Sequence, residues 1–347
     1  MTTTLRAFFA PRSCAARQAG VTLIELMIAI TLGLLIVAGI SALFINNSRA
    51  RSEIEKTSQQ IENGRYATQQ MLEDIRLAGY YGELNPDASA VATPVTLPDP
   101  CDVTVAGLTA AIALPIQGVD NAGSIPTCIS DVKVGSDILV LRRASTCVAG
   151  AAGCDAVDYT KSYYFQTSLC TLTSGQFVVD KDSTKFTALT KNNCTTVADL
   201  RSFYTRIYFV ANNNKAGDGV PTLKIAELGA TAFTIYPLVT GIEQMQVEYG
   251  IATATSEVPA VYTPDPGAYG GCAGVACQTN WRNVTAVKVN ILARNSQTSV
   301  GFSDTRTYQL GHKADGSSNT FGPFGDGYKR HVYTTAVRLN NVAGRVE

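Results

Sequence analysis

One tryptophan and two histidines, His312 and His331, are all that these 347 residues hold of those types. Two imidazoles far from every cysteine leave little for a His/Cys metal site, and no C-x-x-C pair occurs. Also missing are the G-x-S-x-G elbow, the G-x-x-x-x-G-K-[ST] loop and the H-E-x-x-H helix. His331 sits in a strand-like run, where a structural role is the expectation. Asp155 and Asp158 fall in a loop and are expected to be solvated. The glycines of Gly322-Pro323-Phe324-Gly325-Asp326-Gly327 have turn spacing and no following helix to hold a phosphate. The reading is non-enzymatic, with no catalytic residue, metal or cofactor. A Lys/Arg-rich tract is absent too, so direct nucleic-acid binding has no support in the sequence.

Acids are missing from the first 20 positions, which carry Arg6, Arg12 and Arg17. From Val21 to Ile45 there is no basic residue, no proline and no acid except Glu25. As a helix rising about 1.5 Å per residue this run is roughly 37 Å long, enough for a ~30 Å hydrocarbon core. The three arginines hold the N-terminal end in the cytoplasm and direct the rest of the chain outward. Glu25 is the anomaly. An acid at the centre of a spanning helix costs roughly 2.5–3.5 kcal/mol on insertion scales, and less toward the end. A cation in the same apolar surroundings would offset that cost, and cleavage after Gly20 would create one, the α-amine of Val21. An ordinary secretory signal has a shorter apolar core and a small-residue site after it. Nothing of that kind comes after Ile45.

The stretch Gly20-Val21-Thr22-Leu23-Ile24-Glu25-Leu26 resembles the class III signal of type IV prepilins, a basic leader ending in Gly before a Thr-Leu-Ile-Glu-Leu core. The family most often has Phe where this chain has Val21. The resemblance implies a prepilin peptidase that cuts after Gly20 and methylates Val21. It implies further that Glu25 pairs with the N-terminal amine of a neighbouring subunit in the fibre.

Loss of residues 1–20 would take three arginines, no acid and one cysteine, Cys14, leaving 25 basic against 28 acidic residues. Eight cysteines remain: Cys101, Cys128, Cys147, Cys154, Cys170, Cys194, Cys272 and Cys277. An even set in a translocated domain reads as disulfides, with about 105 possible connectivities. Cys147/Cys154 and Cys272/Cys277 lie in Gly/Ala-rich loops and are candidates for local bridges. Cys101 and Cys128 are candidates to staple the loop between them.

Helical pattern continues past Ile45. Ile54, Ile61, Leu72 and Ile75 fall near one face, with Thr68 completing the spacing. No proline occurs between Val21 and Asn85, and Gly79 and Asn85-Pro86 end the helix; Gly33, Gly39 and Gly64 are weak points within it. Glu62-Asn63-Gly64-Arg65 and Asp74-Ile75-Arg76-Leu77-Ala78-Gly79-Tyr80 are similar to the helix end of PilW-type minor pilins. Relatives often continue with Gly-Cys, where this chain has Gly82-Glu83. Glu62, Arg65, Asp74 and Arg76 are expected to form solvated pairs along the helix.

Residues 86 to 129, rich in Ala, Pro, Thr and Gly, read as a long loop. Strands are expected over 137–142, 162–167, 175–179, 203–211, 222–228 and 234–239. The cluster 212–219 reads as a turn rather than a calcium loop. Residues 241–250 alternate apolar and polar positions, and 281–294 have Val287, Val289 and Ile291 inward. Residues 241–250 and the strand from Tyr328 to Asn341 resemble further PilW-family segments; the latter contains Arg330-His331-Val332-Tyr333-Thr334-Thr335.

The expected architecture is α+β and type IV pilin-like: a long N-terminal helix packed on an antiparallel, β-rich domain. Its parts are a leader (1–20), a helix (21–85) spanning the membrane over 21–45, a disulfide-bearing loop/β region (86–200) and a β-rich remainder (201–347). The resemblance implies a minor pilin in the tip complex that primes pilus assembly and supports twitching, adhesion or DNA uptake. Implied partners are the prepilin peptidase, other minor pilins, the major pilin and a tip adhesin. The implied location is the inner membrane of a Gram-negative bacterium and then the fibre. Two alternatives stay open: a J-like pseudopilin of type II secretion, and a membrane-tethered periplasmic enzyme or receptor.

Overall fold

A computed structural model describes residues 20–84, 91–168, 170, 177–253 and 256–343. Cys14 and the leader before Gly20 lie outside them. The chain forms two compact units, residues 1–54 and 55–347. Helix α1 (Leu23–Leu77) contributes to both. Residues 20–52 are exposed throughout, although residues 26–45 are apolar on nearly every face. Among the described residues α1 alone is long and apolar enough to cross a membrane.

In the second unit α1 buries Gln60, Gly64, Ala67, Met71, Asp74 and Ile75, spaced by three and four residues. The expected face differs in part, because Ile54 and Ile61 stay exposed while Gly64 and Ala67 go inside. The reason is proximity. A Cβ at Gly64 would lie 2.2 Å from the Tyr333 ring, so only a hydrogen side chain lets strand and helix meet there. Helix α1 stops at Leu77, short of the expected 85. Gly79 takes a left-handed φ of 76° and donates its N–H to the Arg142 carbonyl at 2.9 Å.

After α1 come α2 (Val105–Ala111), β1 (Ile116–Val119), β2 (Ile138–Ala144), β3 (Tyr163–Thr167), β4 (Phe177–Asp180) and β5 (Leu200–Ala211). Next are β6 (Thr222–Leu228), β7 (Phe233–Thr240), β8 (Ile242–Thr253), β9 (Ser256–Thr263), α3 (Val275–Arg282) and β10 (Val284–Arg294). The chain ends with β11 (Tyr308–His312), β12 (Ser318–Phe321), β13 (Arg330–Arg338) and α4 (Asn340–Ala343). The stretch 86–129 is therefore no plain loop. Thr104 caps α2, its Oγ1 accepting the Gly107 N–H at 3.1 Å, and Leu108, Ala111, Ile112, Ala113 and Leu114 then supply buried apolar side chains.

One sheet of seven strands is built on β5, which has β2 along one edge and shares the other between β3 and β6. A second, antiparallel sheet has the order β13-β10-β8-β9. Strands β11 and β12 form a separate hairpin. Ala67, Met71 and Ile75 of α1 share one core with Leu139, Leu141, Tyr208 and Val210 of the first sheet and Met245, Val247, Val287, Val289 and Ile291 of the second. The apolar half of each alternating strand thus faces the helix, and the architecture is α+β and antiparallel as expected.

Strand β8 departs from simple alternation. Its polar residues Glu243, Gln244, Gln246 and Glu248 are buried as well. The outer face of the second sheet is partly covered by the β11–β12 hairpin, where Leu292, Tyr308 and Leu310 form a small core of their own. Beside that core Asn319 donates to Gln246 at 2.8 Å, and Thr334 to Asn290 at 2.8 Å. Gln246 and Asn290 survive burial there because they find partners, whereas the buried Gln244 Oε1 has none.

Candidate functional site

The expected processing and assembly residues sit at the start of α1. Gly20 and Val21 precede the helix and are exposed. Thr22 is its N-cap, and Glu25 occupies the third helical position. The Thr22 backbone N–H and hydroxyl both donate to Glu25 Oε2, at 3.0 and 2.9 Å, while Thr22 Oγ1 accepts the Glu25 N–H at 3.3 Å. This is a capping box, T-x-x-E, with each side chain serving the other residue's backbone. Thr22 and Glu25 thus satisfy each other within one chain, in an otherwise apolar segment. The arrangement gives the acid a local function whether or not an external amine reaches it.

The eight cysteines form four pairs: Cys101–Cys128, Cys147–Cys154, Cys170–Cys194 and Cys272–Cys277. Cys101–Cys128 closes the loop that contains α2 and β1, and Cys170–Cys194 joins the end of β3 to the approach to β5. No bridge among the described residues reaches α1. What fastens the helix instead is a joint between residues from widely separated stretches. Gln60 donates to the carbonyls of Ala293 and Lys329, both at 2.8 Å, and Asn63 to that of Thr240 at 3.1 Å. Gly64 receives the Tyr333 ring.

Asp74 corrects the expectation of a solvated helix pair. Its side chain is only 3% exposed and takes Arg143 Nε at 2.9 Å, Arg206 Nη1 at 3.0 Å and the Tyr208 hydroxyl at 2.9 Å. Burial, and secondly the Asp74 charge, pushes the Tyr208 phenol well above its ordinary range. All three partners lie on β2 and β5, so sequence spacing along the helix gave no sign of them.

A second lock holds the start of β13. Arg330, fully buried, reaches Glu243, Asp304 and Asp326, with both of its terminal nitrogens 2.7 Å from Asp326 oxygens. Its guanidinium lies 3.7 Å from the Phe324 ring centroid. Arg330 belongs to the Arg-x-x-Tyr-Thr-Thr segment, and Tyr333 of the same segment meets Gly64. Asn63, Gly64, Asp74, Arg330 and Tyr333, all within stretches that carried the resemblance, are thus joints of the fold.

His312 pairs with Glu248, Nδ1 to Oε1 at 3.0 Å, and Lys288 holds the other carboxylate oxygen at 2.9 Å. Burial raises the Glu248 carboxyl, but the bonds from Lys288 and His312 outweigh it and leave it below its ordinary value. His331 lies exposed on β13 against the Tyr333 ring. No group of three or more His, Cys, Asp or Glu side chains among the described residues is placed to hold a metal. The turn 212–219 is tied by Asp218, which accepts the N–H groups of Asn214, Lys215 and Val220.

Two family models match. Type IV pilus-assembly protein W matches residues 207–341, from within β5 into α4. The prokaryotic N-terminal methylation motif matches residues 15–41, which contain Gly20, Val21 and Glu25. No curated protein and no solved structure matches the chain. Both matched families are structural pilus components and not enzymes. The two matched segments, residues 15–41 and 207–341, are thus similar to those of a PilW-family type IV minor pilin.

Proposed function

We propose that this chain is a minor pilin of the tip complex that primes assembly of a type IV pilus, and that it supports twitching motility, adhesion or DNA uptake through that complex. The observation that carries the reading is the methylation motif on an exposed apolar helix whose only acid before residue 53 is Glu25. In this reading a prepilin peptidase cuts after Gly20 at the inner membrane of a Gram-negative cell. The new Val21 amine of one subunit then meets Glu25 of its neighbour, and the capping box keeps that carboxylate at the helix start until it does. The β-rich second unit is displayed outside, stapled by its disulfides in an oxidising compartment. Its partners are other minor pilins, the major pilin and a tip adhesin. Crosslinking the native complex, isolating it through this chain and identifying its members by mass spectrometry is the test. Recovery of other minor pilins or a tip adhesin is the expected result, and recovery of secretion-system components alone overturns it.

A further inference from the structure

The outer face of the second sheet changes character in rows. Under the β11–β12 hairpin it is mainly apolar, with Leu292 between Val332 and the buried Gln244. Next comes the hydrogen-bonded polar row of Gln246, Asn290 and Thr334. The third row pairs Glu248 with Lys288 at the margin of the hairpin, where His312 joins them. Beyond it the cover ends, and a last row runs from Arg338 through Ala286 and Gly250 to Tyr262. A Cβ at Gly250 would lie 2.8 Å from Pro259 and 3.0 Å from the Tyr262 ring, so the bare position sets how low that ring rests on the sheet. Arg338 and Glu257 form an ion pair that closes this end.

The result is an open cleft of about 720 Å³ lined by Glu248, Tyr262, Tyr269, Lys288, His312 and Asp315, among others. That volume lies in the range of ≈ 300–1,000 Å³ typical of small-molecule sites. Tyr262 and Tyr269 are each about four-tenths exposed and keep aromatic surface in contact with solvent at the rim. The wall is polar and pre-set. Glu248 is nearly buried, and Lys288 directs one of its three donors to it, leaving others. His312 uses Nδ1 on Glu248 and keeps Nε2. Formal charge balances, with Glu248 beside Lys288 and Asp315 beside Lys313, so the lining has no excess of either sign.

Exposed aromatic rings beside fixed donors and a neutral balance suit a ligand with an apolar CH face and a hydroxylated edge. We propose that this cleft binds a neutral saccharide, packed on Tyr262 and Tyr269 and hydrogen-bonded along the Lys288–Glu248–His312 wall. The inference uses only the second unit, so it stands or falls apart from processing and pilus incorporation.

The test uses the full chain in a non-glycosidic detergent on a printed glycan array, followed by titration of the best free oligosaccharide. Binding to neutral glycans is expected, with Tyr262→Ala and Tyr269→Ala each weakening it roughly tenfold or more and leaving the melting temperature unchanged. Where Tyr262→Ala shifts the melt, Tyr269→Ala, which lies outside the strands, decides alone. Binding to no neutral glycan, binding confined to sialylated or sulfated ones, or undiminished binding by Tyr269→Ala overturns the proposal.

Discussion

Asp74 draws three donors from two strands, and each depends on it differently. Arg143 and Arg206 are partly exposed and can turn to water, whereas the Tyr208 hydroxyl is buried and has Asp74 as its acceptor. Asp74→Ala is expected to destabilise the fold by about 1–3 kcal/mol, the usual result of leaving a buried donor without its acceptor. Urea denaturation measures it, and a change no larger than that of Arg76→Ala, on the outward side of the helix, would show the contacts to be idle. At this scale the sequence was legible where identity alone carried meaning. Gly79 marked a helix end, and Val287, Val289 and Ile291 marked an inner face. Asp74 was not legible, because its partners are 69 and 132 residues away and nothing local distinguishes it from a solvated acid. Gly64 was misjudged for a related reason: its value lies in the approach of Tyr333, not in the helix.

Among the elements, β13 depends most on charge. Arg330 holds the Asp326 carboxyl below the usual carboxylate range. Asp304 shifts the same way: burial would raise it, but bonds from Tyr308, Arg306 and Arg330 outweigh that. A depressed folded value means stability that is present above the unfolded pKa of about 3.9 and lost as pH falls through the folded one. Asp326→Asn should therefore lower the denaturation midpoint at pH 7, and the gap to the parent protein should close toward pH 3. An equal gap at both values would mean that the pair is not what the substitution removes. Arg330→Met should be costlier, about 3–5 kcal/mol at pH 7, since Asp304 and Glu243 stay buried with fewer cations. Long strands with clear alternation, β5, β6, β7 and β10, were readable to within a few residues. Strand β9 was missed because Ser256 to Thr263 contains a proline and lies on an edge. The short α2, β11 and β12 gave too few residues for a period to show.

Across the whole molecule, one consequence stems from compartment and one from processing. The four disulfides of the second unit should leave no reactive thiol in the denatured, unreduced mature protein, since Cys14 would depart with the leader. Two or more labelled thiols would contradict that pairing, and opening Cys101–Cys128 should cost roughly 2–5 kcal/mol. The cut itself is expected between Gly20 and Val21, on the cytoplasmic side. Arg6, Arg12 and Arg17 hold that bond inside, beyond reach of an enzyme that works across the membrane, and the exposed coil before Leu23 makes it accessible. N-terminal sequencing of the mature protein should read Val-Thr-Leu-Ile-Glu, and a terminus beyond Ile45 would end the pilin reading. Glu25→Ala separates processing from assembly. Deleting a charge from an apolar helix should leave insertion intact or slightly favoured, at the cost of one capping contact worth about 1 kcal/mol at the helix start. The variant should still be cut at Val21, yet its amount in sheared pili should fall, because the neighbouring amine then has no carboxylate in the fibre core. Wild-type incorporation of Glu25→Ala would leave Glu25 with the capping box as its whole purpose.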